Sequence, residues 1–198
     1  MEKLISILFI YILVDNFVLQ RFFGICPFLG VSRKMETAMG MGMAVVFVIT
    51  LSTLATWLIH YYILVPLGLE FLQLVTFILV IAGLVQLVEI FLRKASPTLY
   101  QGLGIYLPLI TTNCAVLAVA LLAVRQVFTL LVSGVFGLAA SLGFWMDPVI
   151  LSGIRDRLGL TKVPGPLQGT AITLITDGIL SLALLGFRGM VAFLSFLA

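Results

Sequence analysis

Two side chains carry chemistry that the rest of this chain lacks: the thiols of Cys26 and Cys114, the only cysteines in 198 residues. Each sits in a stretch that should disturb a helix. The first is Gly24-Ile25-Cys26-Pro27-Phe28-Leu29-Gly30. Its proline removes a backbone donor and collides with the preceding turn, and its glycines add backbone freedom. The second, Leu107-Pro108-Leu109-Ile110-Thr111-Thr112-Asn113-Cys114, places three consecutive polar residues after a proline within an apolar run. Several readings are open for such a pair. A free cysteine is a small hydrophobe and is often simply buried. A disulfide between two helix breaks inside a bilayer is less favoured. A zinc site closed by this chain alone lacks ligands, because there is no CxxC and no cysteine-histidine cluster, and the single histidine, His60, lies near the outer end of an apolar run. The remaining reading is a shared site. Thiolates suit iron–sulfur clusters, and a [2Fe–2S] cluster usually takes four cysteines, so two from this chain would need two from a partner.

Four acids lie within apolar runs: Asp15, Glu89, Asp147 and Asp177. A charge at the centre of a spanning helix costs about 2.5–3.5 kcal/mol on insertion scales, so each needs a partner, a wet cavity or a proton. Glu89 stands one turn from Arg93, where an i,i+4 ion pair suffices. Asp15 and Asp177 are candidates for an ion or proton route. The plainer reading for any one acid is that it is neutral, or paired with a polar neighbour at an interface with another protein.

The elements that must position these residues follow from composition. Hydrophobic residues make up 62% of the chain and charged residues 10%, with a mean hydropathy of +1.27. An ordinary soluble domain is roughly 45–50% apolar and 25% charged. The balance excludes a soluble globule, a disordered chain and a secreted disulfide scaffold. An all-α polytopic membrane protein remains, with six spans near 4–24, 37–64, 70–92, 99–123, 127–151 and 168–194. Lys3 precedes the first run, but no small-x-small cleavage site follows, so the run is read as mature structure. The short loops leave no room for a soluble catalytic domain, a nucleotide fold or a nucleic-acid surface. Gly102-x-Gly104 follows no strand and gives no dinucleotide site.

Charge sets the expected sidedness. Arg33, Lys34, Arg93, Lys94, Arg155, Arg157 and Lys162 follow the odd-numbered spans, whereas Lys3, Arg125 and Arg188 lie on the other side. The positive-inside rule makes the odd loops cytoplasmic and puts both termini on the periplasmic or outer side. Trp57, Tyr61, Tyr62, Tyr100 and Tyr106 fall near span ends, as interfacial anchors do. Gly40, Gly42, Gly134, Gly137 and Gly143 are spaced for close helix packing.

The whole chain, 1–198, reads as a single integral membrane domain. Three spans per half imply that related halves are inverted, with repeat one at about 1–94 and repeat two at about 95–198. Cys26 falls late in span one and Cys114 late in span four, and Gln73–Gly83 can be laid on Gln168–Gly178. Straight helices rising about 1.5 Å per residue would carry the two thiols to opposite faces, roughly 30 Å apart. Breaks at both cysteines would instead bring them together near the midplane.

Two long stretches carry a family resemblance. Cys26-Pro27-Phe28-Leu29-Gly30-Val31-Ser32-Arg33-Lys34-Met35-Glu36-Thr37-Ala38-Met39-Gly40-Met41-Gly42 and Leu103-Gly104-Ile105-Tyr106-Leu107-Pro108-Leu109-Ile110-Thr111-Thr112-Asn113-Cys114-Ala115-Val116-Leu117 resemble the A-type member of the Rnf ion-translocating electron transport complex. They are also similar to its homologue, the E-type member of the sodium-pumping NADH:quinone reductase, Nqr. The run Met35–Gly42 and Ser96-Pro97-Thr98-Leu99-Tyr100 favour the Rnf type. The resemblance implies six spans in two inverted three-helix repeats, with the first and fourth helices broken. It implies a homologous six-helix partner of opposite orientation, the E-type member of Rnf, in the bacterial inner membrane. Each member of the pair would give two cysteines, here Cys26 and Cys114, to one intramembrane [2Fe–2S] cluster. Gly24, Pro27, Pro108, Thr112 and Asn113 would surround it. The complex would pass electrons between ferredoxin and NAD, through other Rnf components carrying flavins and iron–sulfur centres, and move Na⁺ or H⁺. This chain would relay electrons and perform no catalysis alone. The sequence departs from the family pattern at Asp147-Pro148, which interrupts span five where apolar residues are usual, at Asp177, where a small residue is usual, and at Asp15. The rival reading is an inverted-repeat ion or small-solute transporter with passive cysteines, and a third is a scaffold for a partner pump.

Overall fold

The computed structural model describes residue 8 and residues 10–32, 35–95, 107–126, 129–159 and 169–197. Lys3, Arg33, Lys34, Tyr100, Gly102, Gly104, Tyr106 and Lys162 lie outside them, as does Gln168. The described regular elements are helices. A π-helical turn, Ile10–Val14, is followed by an irregular stretch and then α1 (Ile25–Val31). Next, α2 (Met35–Ile59) runs through a π turn (His60–Leu64) into Val65–Leu67, giving one apolar helix of 33 residues. Gly68, at φ 65, ends it in the left-handed conformation that favours glycine after a helix. Then come α3 (Gln73–Ala95), α4 (Leu107–Thr111), α5 (Cys114–Arg125), α6 (Leu130–Leu158) and α7 (Thr170–Leu197). Among the described residues, three stretches are long and apolar enough to cross a membrane: Met35–Leu67, Gln73–Phe91 and Leu130–Leu158.

The bundle is built around α2 against α6, with α5 packed on both. These are the second and fifth expected spans, one from each half. Glycine lets their backbones approach: a Cβ at Gly42 would lie 1.8 Å from Trp145 Cδ1, and one at Gly137 would lie 3.0 Å from Thr53 Oγ1. Gly143 meets the backbone oxygen of Tyr11 at 3.0 Å by the same measure. The close-packing role expected for these three glycines is therefore realised. Gly42→Ala must displace the Trp145 indole and is expected to destabilise by about 1–3 kcal/mol. Gly83→Ala, with open space around its Cβ, is the control and should be neutral or slightly stabilising. Thermal unfolding in nanodiscs would compare them.

The core is apolar and the surface is too. Phe17, Phe28, Phe77 and Phe136 are fully buried. The outer face of α3 exposes Leu79 (71%), Leu87 (64%) and Phe91 (68%). A helix apolar on its exposed side is suited to a lipid or protein environment rather than water. Two buried threonine hydroxyls are satisfied within their own helix: Thr53 donates to Ile49 O at 2.7 Å and Thr56 to Ser52 O at 2.7 Å. At one end of the bundle Arg155 Nη1 donates to Ser32 Oγ at 3.0 Å. That contact brings the C-terminal end of α1 beside the last turn of α6.

Three details differ from the sequence-based expectation. The break does not run through Gly24–Gly30 but ends at Gly24: Cys26 and Pro27 lie inside α1. They occupy its first turn, where a missing N–H costs nothing. Pro108 likewise falls in the first turn of α4. The irregular backbone lies just before each cysteine-bearing helix, at 15–24 and at Thr112-Asn113. Finally, Pro148 does not interrupt the fifth span, because α6 continues through it to Leu158.

Candidate metal centre

Both cysteines stand in the first turn of a helix that follows a break. In the first break Phe22 has φ 56 and Gly24 φ 84, two left-handed residues that turn the chain sharply. The break satisfies its backbone from several sources. Val18 N donates to Asn16 Oδ1 at 3.0 Å, Phe22 N to Val18 O at 3.0 Å and Phe23 N to Phe17 O at 3.1 Å. Ser181, on α7, donates its hydroxyl to Leu19 O. Such accounting is what permits non-helical backbone inside an apolar bundle.

The second break is simpler. Asn113 has an extended backbone, and its Oδ1 accepts from Ala115 N at 3.0 Å. It therefore caps α5 and fixes the start of that helix at Cys114. The two breaks meet: Gly24 N donates to Cys114 Sγ at 3.0 Å. The thiol of Cys114 thus lies against the backbone two residues before Cys26. The expected convergence of the cysteine segments is present. Both cysteines are free and exposed at the surface of this chain.

The other expected site residues sort clearly. Gly24 supplies the N–H, and its hydrogen occupies the space where a Cβ would lie 2.7 Å from Phe144 Cε2 and 3.0 Å from Asn113 Oδ1. Pro27 is buried and lines a small cavity with Phe28 and Pro148. Asn113 is buried, and its Nδ2 has no protein partner. Thr112 is exposed in the turn between α4 and α5. Pro108 belongs to α4, which packs against α1. Among the described residues no group of three or more His, Cys, Asp or Glu side chains forms a metal site.

The two acids expected to serve an ion route have different surroundings. Asp15 is ion-paired with Arg21, Nη2 to Oδ2 at 2.7 Å and Nε to Oδ1 at 3.3 Å. Arg21 also lies over the Phe17 ring. Asp177 is buried on α7 with no partner at Oδ1. A third residue escaped the sequence reading. Asn16 is 1% exposed, and its Nδ2 donates to Gly143 O at 3.2 Å and to Asp147 Oδ1 at 2.8 Å. A lone amide inside an apolar run was the available signal, overshadowed by its charged neighbour Asp15.

Comparison with known proteins agrees with this architecture. A model described as "Rnf-Nqr subunit, membrane protein" matches residues 4–191. A protein of Edwardsiella ictaluri, named as the A-type member of an ion-translocating oxidoreductase complex, is 56% identical over 182 residues, covering 92% of this chain and 94% of the relative. Proteins of the same name from Syntrophotalea carbinolica and Yersinia pseudotuberculosis are each 54% identical. They cover 96% and 92% of this chain, and 99% and 94% of their own lengths. By the extent of these matches, the chain belongs to the Rnf-Nqr family of membrane proteins.

Proposed function

We propose that this chain is the A-type component of an ion-translocating oxidoreductase complex, holding half of an intramembrane [2Fe–2S] cluster through Cys26 and Cys114. The observation that carries the reading is the Gly24 N–H donated to Cys114 Sγ at 3.0 Å, two residues from a second free thiol.

The donor set fits such a group. Two thiolates cannot complete a four-thiolate site, and both thiols are exposed on this chain, where a partner protein could add two more. The neighbouring polar groups are donors: the Gly24 N–H and the unpartnered Asn113 Nδ2. Donors suit sulfur that carries negative charge. A bound [2Fe–2S] cluster would supply one-electron transfer. The residues of this chain do the positioning. Asn113 sets the register of α5 and hence the place of Cys114. Gly24 brings its N–H to the sulfur, and hydrogen bonds to cluster sulfurs are one of the means by which a protein sets potential. Phe144, Phe28 and Pro27 form an apolar backing that keeps the site in low dielectric.

The reading extends to six spans in two inverted repeats with the division near residue 94, and to a homologous partner of opposite orientation. The like construction of the two cysteine segments and the packing of α2 on α6 support it. So do the relatives' names, which describe a complex that translocates ions and acts as an oxidoreductase.

The test is electron paramagnetic resonance and iron analysis of the complex carrying Cys26→Ser or Cys114→Ser. Each variant is expected to lose one [2Fe–2S] signal and its iron. An unchanged cluster spectrum in both variants would overturn the assignment and leave the transporter reading, for which an anaerobically purified complex should be colourless.

A further inference from the structure

Beyond the cysteine pair, the chain buries a second group of polar side chains. Asp147 on α6 has no exposure, and Asp177 on α7 is 3% exposed. Asp147 Oδ1 accepts from Asn16 Nδ2 at 2.8 Å, while its Oδ2 has no partner. Asp177 Oδ1 is likewise unpartnered. Two unmatched carboxylate oxygens within one apolar bundle are costly, because a desolvated anion needs a counter-charge, a ligand or a proton.

The orientation of Asn16 decides among these. Its Oδ1 is engaged by Val18 N at 3.0 Å, and its Nδ2 donates both to Gly143 O and to Asp147. The amide cannot be flipped without losing all three bonds. It therefore presents N–H groups, which repel a metal cation, to the carboxyl beside it. A sodium or divalent ion would want several oxygen ligands, and this amide supplies none. We propose that Asn16 and Asp147 form an intramembrane proton-binding site, with the proton on the free Asp147 Oδ2, and that the buried Asp177 carries a proton of its own at Oδ1. Asn16 is the positioning residue: it holds Asp147 through Oδ1 and leaves Oδ2 for the proton.

The other titratable and charged residues on the elements packed against α6 are Tyr11 on the π-helical turn, Cys26 on α1, Glu36 on α2, Cys114 and Arg125 on α5, and Arg188 on α7, and α6 itself carries Arg155, Asp156 and Arg157. Arg21 in the break beside Asn16 is committed to Asp15.

Infrared spectroscopy of the complex in nanodiscs tests the proposal, because a protonated carboxylic acid has a carbonyl stretch that an ionised carboxylate lacks. At neutral pH the wild-type spectrum is expected to contain this band with its deuterium shift. The double variant Asp147→Asn, Asp177→Asn should lose it. Replacing choline chloride by sodium chloride should leave it in place. A wild-type spectrum without the band, or a double variant that retains it, overturns the proposal. Loss of the band on adding sodium would make this a cation site and also overturn it. Labelling with a hydrophobic carbodiimide, which reacts with protonated carboxyls, should locate the adduct at Asp147 or Asp177 by mass spectrometry. An adduct found only at other acids counts against the assignment.

Discussion

Replacing Gly24 by valine is expected to cost roughly 2–5 kcal/mol of stability and to dismantle the cysteine site. Two effects add. A β-branched residue held at φ 84 pays about 1–2 kcal/mol for the left-handed conformation. Its Cβ would then lie 2.7 Å from Phe144 Cε2, 3.0 Å from Asn113 Oδ1 and 3.3 Å from Ala115 Cβ, and overpacking of this kind adds about 1–3 kcal/mol. The atoms it strikes matter as much as the sum. Asn113 caps α5 and so fixes Cys114, so pushing the amide aside moves the thiol. The Gly24 N–H would move away from Cys114 Sγ with the backbone. Denaturant unfolding of the purified chain should show the lost stability, and the reactivity of Cys114 toward a thiol reagent should change along with it. Gly24→Ala should show the same direction with a smaller change. A Gly24→Val protein with unaltered stability and thiol reactivity would mean that the two breaks do not meet as described.

That sensitivity explains what the sequence could and could not disclose. The membrane class was legible from hydrophobicity, and the cysteines stood out as the only thiols. The prolines marked the right neighbourhoods, but not the right residues. Pro27 and Pro108 lie in first turns, where proline is tolerated, and the backbone departs from helix at positions 15–24 and 112–113 instead. The reason is that proline reports only a local incompatibility with helix interior. Where the chain turns depends on tertiary partners: Ser181 reaching Leu19 O, Asn16 reaching Gly143 O, and Cys114 receiving the Gly24 N–H. These pairings join residues far apart in the chain, and no local pattern announces them. Pro148 shows the same limit in reverse. Packed in the core of a long helix and backed by α1 and α2, it stays within α6, because neighbouring segments stabilise a helix that local propensity alone would break.

Asn16→Leu is the other substitution with a large expected effect. It removes the Oδ1 that accepts from Val18 N at 3.0 Å, and the Nδ2 that donates to Gly143 O at 3.2 Å and to Asp147 Oδ1 at 2.8 Å. Three bonds are lost in a position that is 1% exposed. A buried backbone N–H left without an acceptor costs about 1–3 kcal/mol, and an already half-satisfied Asp147 loses its only hydrogen bond. The expected total is about 3–5 kcal/mol, on the scale of breaking a buried polar pair. Asn16→Asp separates the contributions. Aspartate keeps an oxygen for Val18 N but offers no donor, and it sets a second carboxyl against Asp147. Its stability should therefore depend on pH more steeply than that of the wild type, with the protein most stable on the acid side, where protonation relieves the repulsion between carboxylates. In Asp147→Asn the amide oxygen can still accept from Asn16, so that variant should retain most of the stability. If stability falls as far in Asp147→Asn as in Asn16→Leu, the carboxylate itself is structural, and Asn16 is not the residue that holds the segment before Gly24 in place.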